Sequence, residues 1–109
     1  MKYEGTEHRR FVYVIIRDDL ELKDKMIQSC HAAYQSAIEF KNRADRTTII
    51  ILSLGKKTID DAKCYLESVK IKYTVFKEIT LELGETAIAT EAITKEQRKH
   101  LKKFELLKV

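Results

Sequence analysis

Two short runs of apolar, mostly β-branched residues constrain the fold of this chain more than any other feature. They cover residues 11–16 and 47–54. Runs of this length that are apolar at nearly every position are typical of central strands covered on both faces of a sheet. The segment between them is long enough for a crossover helix, so the sequence predicts a parallel βαβ unit.

The segment between these two strands has the periodicity of a helix. Asp24 is a suitable N-cap, and we expect the helix to end near Phe40 to Arg43. One apolar stripe recurs at helical spacing and comprises Ile27, Cys30, Tyr34, Ala37 and Ile38. We expect this stripe to pack against the first strand, so that replacing Tyr34 by alanine costs about 2–4 kcal/mol of stability.

The middle of the chain predicts a second helix and a hairpin. Thr58 and Asp61 have the spacing of a capping box at the start of the helix. Residues 73–79 and 87–93 then read as two strands on either side of a turn at Gly84. We expect these two strands to pair in an antiparallel hairpin.

The last part of the chain predicts a basic third helix. Thr94 and Gln97 form a further capping box, and residues 104–107 alternate in a way that leaves a short returning strand open. The element order β-α-β-α-β-β-α predicts an α/β protein. Its expected architecture is a three-layer α/β/α sandwich around a four-stranded mixed sheet.

Length and composition indicate one globular domain. The chain has 109 residues, of which 44% are hydrophobic and 35% are charged, and we expect a single domain at residues 11–109 after a flexible segment at residues 1–10. No apolar run approaches the ~20 residues of a membrane span. The polar N-terminus also lacks the apolar region of a signal peptide. The sequence therefore predicts a cytoplasmic protein without membrane contact.

The sequence shows no motif for a metal or a cofactor. Two cysteines and three scattered histidines do not form a zinc-ligand pattern, and three glycines do not form a phosphate-binding loop. Cys30 and Cys64 both lie in helical apolar patterns, and we expect them to be reduced, unbridged core residues. We predict neither a metal site nor a cofactor.

Positive charge is concentrated at the C-terminal end. From Lys95 onward there are six basic and two acidic residues, an excess equal to the net charge of the whole chain, +4. One exposed face at helical spacing carries four of these basic residues, namely Lys95, Arg98, Lys99 and Lys102. Leu101 and Phe104 are expected to pack inward. This basic face is either a solvated surface or a site that contacts phosphates.

A line of polar side chains follows the first helix. Gln28, His31 and Gln35 share one face, rotated by about 100° from the apolar stripe. Lys23 and Lys25 lie at the start of the helix, where backbone N–H groups and the helix dipole favour an anion. His31 is therefore either an ordinary surface histidine or an imidazole that positions water beside a bound anion.

Two motifs in the right order resemble the type II peptidyl-tRNA hydrolase family. They are Arg-Asp-Asp-Leu at residues 17–20 and Gln-Ser-Cys-His-Ala-Ala at residues 28–33. Members of that family open with an apolar strand, an Arg-x-Asp-Leu exit and a helix with a Gln-x-x-His-Ala-Ala core. The likeness is greatest to the divergent peptidyl-tRNA hydrolase domain-containing branch, which has similar sequences at residues 88–90 and 101–106. It spans residues 11–108.

The resemblance implies an enzyme that hydrolyses the ester bond of peptidyl-tRNA, or of a related acyl-tRNA, and needs no cofactor. The implied catalytic residues are His31, Lys25, Lys23, Asp19, Glu78 and Thr80. The implied contacts to tRNA are Gln28, Arg98, Lys99 and Lys102. An alternative is a catalytically weak or inactive module that binds RNA or protein on the same fold. The oligomeric state stays open, with a homodimer among the options.

Each implied catalytic residue has an expected role. His31 orients or deprotonates water, and either lysine at the start of the first helix holds a phosphate or the developing oxyanion. Glu78 or Asp19 orients the imidazole. Glu78 and Thr80 replace the acid and the hydroxyl of the family's Asp-Ala-Gly-Arg-Thr segment, whose glycine and arginine are missing here. That departure supports the alternative of a binding module.

Overall fold

The computed structural model describes residues 9–108 and shows an α/β fold built on a five-stranded mixed sheet. The strands are β1 (Arg10–Ile16), β2 (Thr47–Ser53), β3 (Tyr73–Glu78), β4 (Gly84–Thr90) and β5 (Glu105–Leu106). The helices are α1 (Leu22–Phe40) and α2 (Ile59–Ser68), with 3₁₀ helices at Ala44–Arg46 and Glu96–Lys103. Most of the predicted flexible segment, residues 1–8, lies outside the described residues. β1 already includes Arg10, one residue before the expected start of the domain.

The predicted βαβ unit and hairpin are confirmed. β1 and β2 pair in parallel from Arg10–Thr47 to Ile16–Ser53, and β3 and β4 pair in antiparallel fashion. The strand order is β3-β4-β1-β2-β5. The expected number of four strands is wrong, because β5 adds an antiparallel pairing of two residues to the free edge of β2.

Helices cover both faces of this sheet. The evidence is that alternate residues of β1 belong to two different apolar clusters, one on each face. Phe11, Tyr13 and Ile15 pack with α2 and with the C-terminal 3₁₀ helix. Val12, Val14 and Ile16 pack with α1. β1 lies between both layers and is apolar at every position from Phe11 to Ile16, as a strand buried on two faces requires.

The predicted packing face of α1 is wrong. Tyr34 is 70% exposed, Ile38 is 63% exposed, and Cys30 is also exposed. The side of α1 that meets the sheet consists instead of small and polar residues, Gln28, Ser29, Ala32 and Ser36. They fit because the strands beneath carry Ala87 and Ala89 and offer hydrogen-bond partners to Gln28 and Ser36. The expected cost of Tyr34→Ala therefore does not apply to the isolated chain.

Two further expectations about the helices are corrected. Cys64 is free and exposed on α2, so neither cysteine is a core residue. The helix α1 begins at Leu22 after Glu21, so Asp24 lies in its first turn and is not its N-cap. The cap makes no side-chain hydrogen bond there, so capping chemistry did not mark this boundary.

Both capping boxes are confirmed, but the third helix has a different winding. Asp61 N donates to Thr58 Oγ1 at 3.0 Å, and Gln97 N donates to Thr94 Oγ1 at 3.3 Å. The third helix is the basic 3₁₀ helix Glu96–Lys103. Leu101 in this helix and Phe104, which directly follows it, are buried as expected. No helix in the described part of the chain has the length and hydropathy of a membrane span.

Candidate active site

The candidate active site lies at the edge of the sheet where β1, β2 and β3 end. β1 and β2 are parallel, and β3 runs in the same direction because β1 and β3 are both antiparallel to β4. α1 begins at this edge shortly after β1 ends. The crevice outside the carboxyl ends of parallel strands is the usual place for a ligand in an open α/β sheet.

A buried amide connects α1 with β3 and β4 at this edge. Gln28 is fully buried, and its Nε2 donates to Glu78 Oε1 at 2.8 Å. Its Oε1 accepts a hydrogen bond from Thr86 Oγ1, also at 2.8 Å, and Thr86 is itself fully buried. The Gln28 side chain therefore holds α1 on two strands, with its amide nitrogen bonded to β3 and its amide oxygen bonded to β4.

Thr86 reaches α1 because of a β-bulge in β4. The pairing of β3 with β4 shifts by one residue after Phe76 and Ala87, which leaves Thr86 as the extra residue. The consecutive residues Thr86 and Ala87 then both face α1, whereas regular alternation would place them on opposite faces, and Glu85 forms an ion pair with Lys63 of α2 at 3.1 Å. Bulges beside functional sites commonly redirect a side chain in this way.

His31 lies one turn after Gln28 with its side chain exposed. Its ring stacks on the ring of Phe76 with a centroid distance of 4.8 Å and an interplanar angle of 12°. Glu78 lies two residues after Phe76 on β3, and His31 is the smallest of the causes that lower the pKa of Glu78. A ring stacked on one face keeps its edge, which carries both nitrogens, available to water or to a ligand.

Glu78 is held in its ionised form. Its pKa lies below the ordinary value, chiefly because Gln28 donates to the carboxylate. The backbone N–H groups of Leu81 and Thr80 act in the same direction, with distances to Oε2 of 3.4 and 3.0 Å. Thr80 contributes this backbone contact, and its side chain is exposed in the turn between β3 and β4. An ionised carboxylate beside His31 suits an electrostatic role and not that of a general acid.

The two lysines of α1 are placed differently. Lys25 Nζ lies 3.3 Å from Asp18 Oδ1, which also accepts a hydrogen bond from Ser53 Oγ at 3.0 Å. Lys25 thereby joins the ends of β1, β2 and α1. Lys23 is exposed in the first turn of α1 and extends its charge into solvent.

Asp19 is bound by Arg17. The guanidinium contacts both carboxylate oxygens at 2.9 Å, and its hydrogen bonds lower the pKa of Asp19. Arg17 also donates to the carbonyl oxygens of Leu83 at 2.6 Å and Glu85 at 3.1 Å. The pair locks the turn between β3 and β4 onto the end of β1.

The predicted RNA-binding cations lie on the other face of the sheet from His31. Arg98, Lys99 and Lys102 line a groove of about 580 Å³ between the basic 3₁₀ helix and strands β1, β2 and β5. The remaining lining consists of Lys95 and of apolar or aromatic residues: Tyr13, Ile50, Leu52, Leu101, Phe104 and Leu106. We call this feature the basic groove. Its apolar floor and its cationic rim suit an anion that also has an apolar part.

Arg98 is the most firmly held cation of the basic groove. Its Nε donates to the Tyr13 hydroxyl at 2.7 Å, and its guanidinium carbon lies 4.2 Å from the centroid of the Phe11 ring. Within residues 9–108 it forms no ion pair with a carboxylate. Its two terminal nitrogens therefore remain for a phosphate or a carboxylate, which a guanidinium binds in bidentate fashion.

A series of hollows leads from the basic groove towards the candidate active site. The first has a volume of about 320 Å³, shares Phe104 with the groove and is lined by Lys56, Lys57 and Lys103. The second, also about 320 Å³, shares Lys57 with the first and reaches Asp18, the ion-pair partner of Lys25. The first hollow is therefore lined mainly by cations, whereas the second carries Arg17 and Lys57 beside Asp18 and Asp19, and together they continue the surface around the end of β2.

Residues 9–108 contain no cluster of three or more His, Cys, Asp or Glu side chains that could hold a metal ion. No protein-family model and no curated protein matches the chain.

The structure also places residues at the site that the sequence did not single out. Phe76 supports the imidazole, Thr86 completes the contacts of the amide, and Ser53 binds the carboxylate that holds Lys25. The position of Phe76 follows from strand alternation once the phase of β3 is known. Thr86 depends on the bulge, for which the alternating pattern of β4 gives no signal.

Proposed function

We propose that the chain hydrolyses the ester bond of peptidyl-tRNA or a related acyl-tRNA and releases the tRNA. The observation that carries this proposal is the exposed imidazole of His31, stacked on Phe76 beside a carboxylate that Gln28 keeps ionised. The resemblance of residues 17–20 and 28–33 to the type II peptidyl-tRNA hydrolases supports it. So does the position of the site at the carboxyl ends of parallel strands.

In the proposed reaction, water attacks the carbonyl carbon of the ester. His31 accepts a proton from the water, and the bond from the carbonyl carbon to the ribose oxygen breaks. His31 then returns the proton to that oxygen. Glu78 stabilises the imidazolium formed between the two steps, and Lys23 or Lys25 stabilises the negative charge that develops on the carbonyl oxygen.

The basic groove and the hollows beyond it are the proposed path of the RNA. Arg98, Lys99 and Lys102 would bind backbone phosphates on one face of the sheet. Lys56 and Lys57 then continue the positive surface around the end of β2. Such a path would bring the acylated end of the RNA to the edge where His31 lies, although the two groups of residues are on opposite faces.

A single-turnover deacylation assay with peptidyl-tRNA and saturating enzyme tests the catalytic part. We expect His31→Ala to lower the rate by about 10²–10³-fold, as for removal of a general base. His31→Phe preserves an aromatic ring against Phe76 but removes both nitrogens, and it should cause the same loss. His100→Ala is the control, because it removes a histidine from the basic 3₁₀ helix. Equal rates for the wild type and both His31 variants would refute the assignment.

A second candidate function is an RNA-binding module without catalysis. The observation that favours it is that both candidate acids are fully engaged, Glu78 by Gln28 and two backbone N–H groups, and Asp19 by Arg17. Within residues 9–108, neither carboxylate accepts a hydrogen bond from the imidazole. Salt-dependent binding of tRNA without any deacylation above the rate in buffer would establish this function in place of hydrolysis.

A further inference from the structure

The outer side of α1, which points away from the sheet, is apolar. Met26 is 56% exposed and Ile27 is 49% exposed, and Tyr34, Ile38 and Cys30 are also exposed on this side. We call these five residues the outer face. The outward side of a helix that covers a sheet is ordinarily polar. The largest apolar patch on a protein surface is often a site that binds a partner.

The spacing of the outer face is that of a helix that packs on another helix. Three residues of the outer face, Ile27, Cys30 and Tyr34, follow one another with Ala37 at intervals of three, four and three residues. These are the a and d positions of a heptad pattern, and we call this row of four residues the seam. Met26 and Ile38 flank this row. The seam from residue 27 to residue 37 is about 15 Å long at 1.5 Å per residue.

We propose that the outer face binds the same face of a second copy of this chain, with the two α1 helices antiparallel. In such a pair, the twofold axis passes between the two helices at the level of residue 32. Ile27 then faces Ala37 of the other copy, and Cys30 faces Tyr34. Each large side chain then meets a small one, so the surface is complementary to itself as a twofold interface requires. Alternation of large and small residues is what allows two such layers to interdigitate.

Within residues 9–108, no other element covers the outer face. The residues outside the described range, 1–8 and 109, include only Met1, Tyr3 and Val109 as sizeable apolar side chains. Lys23, at the start of the seam, is the only charged residue in line with it before Lys41. Both lie at the ends of the seam, where long side chains can reach water.

The available area sets the expected affinity. The exposed parts of the outer face amount to roughly 500 Å² on one protomer, so a symmetric pair buries roughly 1,000 Å², near the lower limit for a specific interface. We therefore expect a reversible dimer with a Kd of about 1–100 µM. His31 lies about 80° around the helix from the centre of the seam, at the 100° per residue of an α-helix, so the pair leaves its ring edge beside the interface.

Sedimentation equilibrium of the full chain from about 1 to about 500 µM tests the proposal. Ile27→Glu buries a charge in the seam, and we expect it to raise the Kd at least about 100-fold. The matched control is Ile79→Glu, which places the same charge at a side chain that is 76% exposed in the turn between β3 and β4. It should leave the Kd unchanged. Since both positions are exposed, urea denaturation should confirm that both variants fold.

Two results would overturn the proposal. One is a wild-type chain that stays monomeric throughout this range. The other is a dimer whose Kd responds equally to the two glutamate variants, because the contact then lies elsewhere. The antiparallel orientation has its own test in Tyr34→Cys, which should form a disulfide with Cys30 of the other copy under mild oxidation. Failure to form a covalent dimer at concentrations where the variant associates would refute that orientation.

Discussion

Replacement of Gln28 by leucine would show how much the buried amide contributes to the fold and to the site. Leucine has a similar size but no polar group. The Thr86 hydroxyl would then be buried without its acceptor, which costs about 1–3 kcal/mol. For a domain of this size each kcal/mol lowers the Tm by about 4–8 °C, so the loss is measurable.

A double-mutant cycle with Thr86→Val separates the hydrogen bond from other effects. Thr86→Val leaves the amide oxygen of Gln28 without its donor and should cost a comparable amount. When both residues are replaced, no buried polar group of this pair is left unsatisfied, and apolar replacement of both partners is nearly neutral. The double variant should therefore lose less than the sum of the two single losses, by about 0.5–3 kcal/mol.

The stability difference between the wild type and Gln28→Leu should also depend on pH. The folded-state pKa of Glu78 is lowered, chiefly by Gln28, so ionised Glu78 contributes stability that is fully present above its unfolded-state pKa. This contribution is lost as the pH falls through the folded-state pKa. The variant lacks the main cause of the lowered pKa. The wild type should therefore lose more stability on acidification, and the difference between the two stability curves should shrink to the part that comes from Thr86, which does not depend on pH.

Urea denaturation followed by circular dichroism, at neutral and at successively lower pH, measures the cost of Gln28→Leu, the coupling energy in the cycle with Thr86→Val, and the pH dependence of the stability difference. Strictly additive costs in the cycle would refute the contact between Gln28 and Thr86. A difference between the wild type and Gln28→Leu that is constant with pH would refute the contact between Gln28 and Glu78.

Three further predictions concern other parts of the molecule. Tyr34→Ala, measured at concentrations where the chain is monomeric, should change the unfolding free energy by less than about 0.5 kcal/mol. The control Leu66→Ala in the core should cost about 2–5 kcal/mol, and a similar cost at Tyr34 would mean that α1 is rotated about its axis. Arg98→Gln combined with Lys102→Gln should flatten the salt dependence of tRNA binding by about one to two units in filter-binding assays, and an unchanged slope would remove the basic groove from the RNA path. Tyr73 should be the last tyrosine to ionise in a spectrophotometric titration, because burial and a hydrogen bond to a carboxylate of α2 raise its pKa to about 12; an unchanged titration in Tyr73→Phe would contradict this.

The central strands were predictable because burial on two faces leaves a direct trace in the sequence. Every position of β1 from Phe11 to Ile16 has to be apolar, and the sequence shows this without any knowledge of neighbours. β5 is different, because the alternation at residues 104–107 leaves a short strand open but is too brief to predict one. Glu105 and Leu106 become a strand only because the edge of β2 offers free backbone groups beside them.

The phase of α1 was not predictable from hydrophobic periodicity. The pattern of Ile27, Tyr34 and Ile38 is a true helical stripe, but periodicity does not say which surface the stripe contacts. The inner side depends on Ala32 meeting two alanines of β4 and on polar groups finding partners in the strands. Those are tertiary contacts, and local sequence contains no record of them.

Part of the candidate site was predictable and part was not. Gln28 and His31 share a helical face by spacing alone, and Glu78 follows a strand that ends at the same edge. Thr86 belongs to the site only because of the bulge. The separation of His31 from Arg98 depends on which face of the sheet the third helix covers. Neither feature has a sequence signature in a single chain.

The unusual phase of α1 connects the candidate active site with the proposed dimer. Polar contacts hold the inner side of this helix on the sheet: Gln35 Nε2 donates to Thr74 Oγ1 at 2.6 Å, and Ser36 Oγ donates to the carbonyl oxygen of Thr90 at 2.8 Å. Such bonds have a defined direction and length, so they fix the position of the helix along its axis more closely than apolar contacts do. His31 is thereby held over the ring that supports it. Since the inner side is occupied by these polar groups, the apolar residues of α1 lie on the outer side, where no other element within residues 9–108 covers them and a second copy could bury them.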